Sequence, residues 1–127
     1  MKILFINPPS VPFDYLQKSF EGKKIVMDQT VAMPMGILYL CSVTEEHDPK
    51  IDLQIIDIAK EYSDLSKVKF SKNLNFEEFL EQCLNLNEGA APDVVGISIL
   101  FSTAHKTSFK IGELVRKKWP ESKILVG

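Results

Sequence analysis

The run Asp93-Val94-Val95-Gly96-Ile97-Ser98-Ile99-Leu100-Phe101-Ser102-Thr103 constrains this chain more than any other. From Val94 to Leu100 it reads as a buried strand, interrupted by one serine, and it leads straight into the helix-start residues Ser102 and Thr103. Continuous apolar strands of this kind belong to parallel sheets covered on both faces, whereas half-exposed strands alternate. A hydroxyl at Ser98 inside such a strand needs a partner, either a ligand or a neighbouring backbone group. Open parallel sheets bind ligands at the carboxyl ends of their strands, where this serine falls.

The same pattern recurs along the chain. Residues 2 to 6 form a short apolar run, halted by Asn7-Pro8-Pro9 because proline carries no amide for a central ladder. After Pro34, residues 35 to 46 predict a helix that is apolar nearly all round and therefore expects cover on two sides. Residues 51 to 58 predict a strand nearer the sheet's edge, and a polar linker is expected from there to about Leu74. Asn75 with Glu78 three residues on reads as a capped helix start, followed by the stripe Phe76, Phe79, Leu80 and Cys83, with Gly89 and Pro92 as stop signals. A third helix, capped by Ser102 or Thr103, has Lys106, Lys110, Glu113 and Lys117 on one face and Ser108, Ile111, Val115 and Trp119 on the other, with Gly112 allowing a close approach to the sheet. Lys123-Ile124-Leu125-Val126-Gly127 begins a fourth strand.

Strands alternating with helices predict an α/β fold, a three-layer sandwich around a parallel sheet with right-handed crossovers. The expected topology is flavodoxin-like or Rossmann-like, with the first strand central and the second at an edge. At 127 residues and 45% hydrophobic, residues 1–127 suffice for one core. The closing strand and final helix of such a fold are missing from the pattern, so the chain reads as an incomplete binding domain of a larger polypeptide. Fifteen basic and 17 acidic residues, interspersed to a net charge of -2, point to neither a nucleic-acid nor a membrane partner. The opening apolar run is too short for a secretory leader or a span, which places the chain in the cytoplasm. Cys41 and Cys83 lie in helical stretches without a CxxC or His cluster and read as reduced, buried thiols.

Residues 8 to 34 break this economy, since such connections usually take about 2–6 residues. Phe13, Tyr15, Leu16, Phe20, Ile25, Val26 and Met27 supply apolar anchors, so the segment is either a ligand-facing lid or an insertion packed on the surface. The familiar ligands of the fold fare poorly. GxGxxG and flavin phosphate loops need backbone amides after the first strand, and Asn7-Pro8-Pro9 withholds them. The paired acids of a phospho-receiver, a Walker loop and a Ser-His-Asp or Cys-His grouping are all lacking.

One family does match in part. Cobalamin-binding domains of the methionine synthase type carry Asp-x-His-x-x-Gly after the first strand, then Ser-x-Leu, then Gly-Gly about two dozen residues later. Ser98-Ile99-Leu100 resembles the second motif, and Gly127 falls where the third would begin. The first motif is absent. Asn7-Pro8-Pro9, Pro34-x-Gly36-Ile37-Leu38-Tyr39-Leu40 and Asp93 to Ser98 with Phe101-Ser102-Thr103 resemble instead the N-terminal module of cobalamin-dependent radical SAM enzymes. That resemblance implies a corrinoid-holding module with no histidine on the cobalt. Cofactor contacts would come from Asn7, Pro8, Gly36, Ser98, Leu100, Phe101, Ser102, Thr103 and Gly127, and no residue would ligate metal.

It further implies that the 4Fe-4S cluster and S-adenosylmethionine belong to a downstream radical SAM domain, the module's partner, because this chain has no CxxxCxxC. Methyl transfer or related radical chemistry would need both halves, so the chain is not catalytic alone. His105, at the start of the third helix, and His47, at a helix end, read as solvated rather than as cobalt ligands. Two alternatives stay open: a degenerate module retained for docking without cofactor, and an enzyme using another nucleotide at the same edge.

Overall fold

The computed structural model describes residues 1–22, 33–67 and 74–127. Four parallel strands, β1 (Lys2–Asn7), β2 (Asp52–Asp57), β3 (Val94–Ile97) and β4 (Lys123–Val126), form one sheet in the order β2-β1-β3-β4. Among the described residues, five α-helices accompany them: α1 (Phe13–Phe20), α2 (Met35–His47), α3 (Ile58–Lys67), α4 (Phe76–Leu84) and α5 (His105–Lys118). This is the expected α/β fold of flavodoxin-like or Rossmann-like type, with β1 central and β2 at an edge.

Alternation along the strands sorts the two faces of the sheet. Leu4 and Ile6 of β1, with Val95 and Ile97 of β3, are buried in one core with Leu16, Leu80, Ile111 and Val115 from the helices. Ile3, Phe5, Val94 and Gly96 point the other way, since successive side chains leave opposite faces, and all four are half-buried. Gly96 confirms the assignment: a Cβ there would lie 2.9 Å from Phe5 Cδ1.

The crossover from β1 to β2 runs opposite to those from β2 to β3 and from β3 to β4. With every crossover right-handed, α2 falls on one face, and α3, α4 and α5 fall on the other. This explains the length of residues 8 to 34. Helix α1 packs on the α4 side, with Phe13 edge-on to Phe76 at 5.4 Å and Phe20 at 5.1 Å from Phe79, on the face opposite α2. Half of the long connection is thus core, with Val11 and Leu16 buried. The anchors Ile25, Val26 and Met27 lie outside the described residues.

Four expectations need correcting. The polar linker from 59 onward is in fact α3 as far as Lys67, because Ile58 and Tyr62, four residues apart, are buried on one face, while Asp57 accepts from the Lys60 amide at 3.1 Å as its cap. Among the described residues, helix α2 is not covered on two sides: Ile37 is its buried residue, and Leu38, Tyr39, Leu40 and Val43 are exposed. Neither Ser102 nor Thr103 caps α5 with its side chain; they form a 3-10 turn, Ser102–Ala104, that leads into it. Gly112 allows no unusual approach, since a Cβ there would meet Ile97 at an ordinary 3.9 Å. The two faces of α5 fall as expected, with Ser108, Ile111, Val115 and Trp119 buried.

Lys2 pins the opposite end of the sheet. It is buried, and its Nζ donates to the carbonyls of Glu88 and, at 3.0 Å, Ala90. Gly89 between them sits at φ +75°, a left-handed turn that glycine takes without strain.

Candidate functional site

Strand register builds the site. Asn7 is paired with Asp57 across β1 and β2. On the other side the ladder ends at Ile6 with Ile97 and at Ile97 with Val126, so the next residues, Asn7, Ser98 and Gly127, fall level. Backbone bonds carry that alignment past the strand ends: Ser98 N–H donates to Ile6 at 3.0 Å and Gly127 N–H to Ile97 at 3.1 Å. The row Asp57, Asn7, Ser98, Gly127 therefore runs across all four strands at the sheet's carboxyl edge, about 4.8 Å apart per step. Its side chains share the face of Phe5 and Gly96, toward α2.

A cavity of about 440 Å³ opens over the row, within the roughly 300–1,000 Å³ usual for small-molecule sites. Asn7, Pro8 and Ser10 line it from β1, Met33 to Gly36 from the start of α2, Ala59 from α3, and Ser98, Leu100, Phe101 and Ala104 from the β3 turn. Six of the nine residues proposed from sequence thus converge: Asn7, Pro8, Gly36, Ser98, Leu100 and Phe101. Thr103 supports the wall from behind, its hydroxyl donating to the Ser10 carbonyl at 2.6 Å. Gly127 sits in the row, and its carbonyl accepts from Ile99 N–H at 2.6 Å. Ser102 is exposed and outside the lining, as is His105.

The walls differ in chemistry. Met33, Met35, Leu100 and Phe101 are each more than half exposed and form an apolar rim, whereas Asn7, Ser10 and Ser98 are polar, and among the described residues no lysine or arginine contributes to the lining. Ser98 lies one residue beyond β3 and is half-buried, so it is not the sealed strand hydroxyl expected from sequence. Its hydroxyl has no partner among the described residues. The sealed unpartnered oxygens there, Asn87 Oδ1, Thr107 Oγ1 and Ser108 Oγ, lie elsewhere. A Cβ on Gly36 or Gly127 would meet nothing within 4 Å, so neither glycine is required by the protein's own packing.

Asp57 is the residue that sequence reasoning missed. Its Oδ1 accepts from Asn7 Nδ2 at 2.9 Å and from Lys60 N–H at 3.1 Å. A signal for it exists in retrospect: an aspartate between an apolar strand and the pair Ile58 and Tyr62 is a strand-to-helix junction with its cap.

The β1 and β3 turns are held together outside the cavity. Lys106 pairs with Asp14 at 3.0 Å and lies over the Phe13 ring at 4.9 Å. A larger space of about 690 Å³ opens at the amino end of the sheet, around Asp93, Trp119 and Ser122. Three of its polar groups are already engaged: Asp93 accepts from Lys2 N–H at 2.7 Å, the Ser122 hydroxyl donates to Pro92 at 2.5 Å, and Lys118 Nζ donates to Asn85 at 2.6 Å, and it lies at the end of the sheet opposite the one where parallel sheets bind ligands. The carboxyl-edge cavity, with free polar atoms, is the better site. Among the described residues no helix is long and apolar enough to cross a membrane. Comparison with protein-family models, with curated proteins and with solved structures finds no match for this chain.

Proposed function

We propose that the chain is a cobalamin-binding module that positions a corrinoid for a downstream radical SAM domain in the cytoplasm. The observation that carries the reading is the convergence of Asn7, Pro8, Gly36, Ser98, Leu100 and Phe101 on one carboxyl-edge cavity. Its size and chemistry suit the two parts of such a cofactor. The polar floor takes the nucleotide tail, with Ser98 Oγ free to bond its base. The apolar rim of Met33, Met35, Leu100 and Phe101 is a surface for the macrocycle, which is too large for the cavity itself. Open space at Gly36 and Gly127 leaves room for the tail beside the sheet.

When bound, the corrinoid supplies methyl transfer or related radical chemistry together with a cluster domain. This chain's residues bind and orient it. The test is to mix the purified protein with hydroxocobalamin and gel-filter it. Co-elution of the red corrinoid spectrum, lost in Ser98→Leu, supports the reading, and no retained corrinoid at micromolar protein rejects it.

A docking module without cofactor is favoured by a different observation, the exposed Leu38, Tyr39, Leu40 and Val43 of α2. That reading requires binding to the downstream domain with no corrinoid retained.

A further inference from the structure

The Asn7–Asp57 pair leaves two hydrogen-bond acceptors and one spare Asn7 amide hydrogen beside the cavity, which Asn7 lines and Asp57 adjoins through its bond to Asn7. A carboxylate only accepts, so the 2.9 Å contact to Asp57 Oδ1 must come from the amide nitrogen of Asn7. That turns the Asn7 carbonyl oxygen away from Asp57. It has no partner among the described residues, and neither has Asp57 Oδ2, because Oδ1 takes both the Asn7 and the Lys60 donors. Both residues are half-buried, so desolvating these oxygens beneath a ligand without a donor is costly. The negative charge of Asp57, with no cation among the described residues of the cavity lining, also disfavours a phosphate or carboxylate at this spot.

We infer that Asn7 and Asp57 act together as a specificity pair that reads a neutral ligand group carrying paired donors, a carboxamide N–H₂ or the vicinal hydroxyls of a ribose. The inference rests on the carboxyl-edge site proposed above and names the ligand chemistry that site selects. Neighbouring strands hold the two residues in register, and the Lys60 amide fixes the Asp57 rotamer. The acceptors are therefore preorganised, with little entropy lost on binding.

The test compares the wild-type protein with Asp57→Asn by calorimetric titration against hydroxocobalamin, dicyanocobinamide and adenosine. Asparagine keeps the helix cap and an oxygen for Asn7, but turns the free acceptor into a donor. Thermal melting and circular dichroism check that the variant folds. The expected result is corrinoid binding weakened about tenfold or more in Asp57→Asn. Equal loss with dicyanocobinamide, which lacks the nucleotide, identifies carboxamides as the donor, and loss confined to hydroxocobalamin and adenosine identifies the ribose. Adenosine binding that is sensitive to Asp57→Asn, with no corrinoid bound, overturns the corrinoid reading and supports the specificity pair. Unchanged affinity in a folded Asp57→Asn protein, for every compound that binds, overturns the pair. Failure of all three to bind the wild type at millimolar concentration overturns both.

Discussion

Gly96→Ala puts the packing beneath the site to a quantitative test. A Cβ at this position lies 2.9 Å from Phe5 Cδ1 and 3.1 Å from Cε1, against an optimum of about 3.5–4.0 Å for carbon pairs. Relief needs the Phe5 ring to move by roughly 0.6 Å or more, in a sheet layer directly below Asn7 and Ser98. Overpacking of this kind costs about 1–3 kcal/mol, while replacing a strand glycine by alanine returns about 0.5–1 kcal/mol of backbone entropy. The expected net loss lies between about 0 and 2.5 kcal/mol. Urea denaturation followed by fluorescence of Trp119, the single tryptophan, which is 8% exposed, measures it. The decisive comparison is the same substitution in a Phe5→Leu background. There the ring is gone, and alanine should be neutral or stabilising, giving a coupling of about 1–3 kcal/mol. An equal cost in both backgrounds would refute the contact as its cause.

Three further outcomes follow from the geometry. Burial, and then the charge of Glu61, push the Cys83 thiol up from 9.0 to about 12. The native thiol keeps its proton where the unfolded one has lost it, so its contribution to stability falls as pH rises between 9.0 and about 12. Urea midpoints across that window should drop less in Cys83→Ala than in the wild type, and an identical slope contradicts the shift. Lys2→Met removes one of two donors from each of the Glu88 and Ala90 carbonyls, leaving Gln54 Nε2 and Asn87 Nδ2 at 3.2 Å, and should cost about 0.5–1.5 kcal/mol; a denaturation midpoint unchanged from wild type would show that the lysine bonds contribute nothing. Thr103→Val removes the 2.6 Å bond to Ser10, so hydrogen exchange should rise at Tyr15 and Leu16, whose amides bond the Pro12 carbonyl just beyond that turn. Faster exchange confined to the first turn of α5 would instead indicate a capping role.

The sheet was legible because its apolar runs are of the type that only a doubly covered parallel strand carries, and turn signals end them. Helix α4 was equally plain, since Asn75 accepts from Glu78 N–H at 2.8 Å as the capping pattern requires. Helix α3 escaped notice because it follows β2 without a break, and its buried stripe is short, Ile58 and Tyr62, within a polar segment. Helix α1 was hidden in a connection whose anchors carried no cap and no period long enough to count. The site was half legible for a related reason. Ser98, Asn7 and Gly36 stand out as polar or small residues beside apolar runs, whereas the role of Asp57 depends on β2 lying next to β1, which is a property of strand order.

Strand order also explains why the site lies where it does. The face bearing Leu4, Ile6, Val95 and Ile97 is sealed by three crossover helices, with Phe13, Phe20, Tyr62, Phe76 and Phe79 closing its aromatic edge. A polar row ending on that face would meet packed hydrocarbon, at a cost of kilocalories for each unpaired group. Odd-numbered β1 residues leave the other face, where α2 buries Ile37 and leaves its other large apolar residues exposed. Asn7, Ser98 and Asp57 can therefore keep polar atoms free at the sheet's carboxyl edge, while the packed face beneath holds their backbone rigid. The residues that lead into α2, Met33 to Gly36, then supply a wall. Rigid acceptors on one side and a lightly packed helix on the other give a site whose floor is fixed by the sheet and whose rim is set by α2.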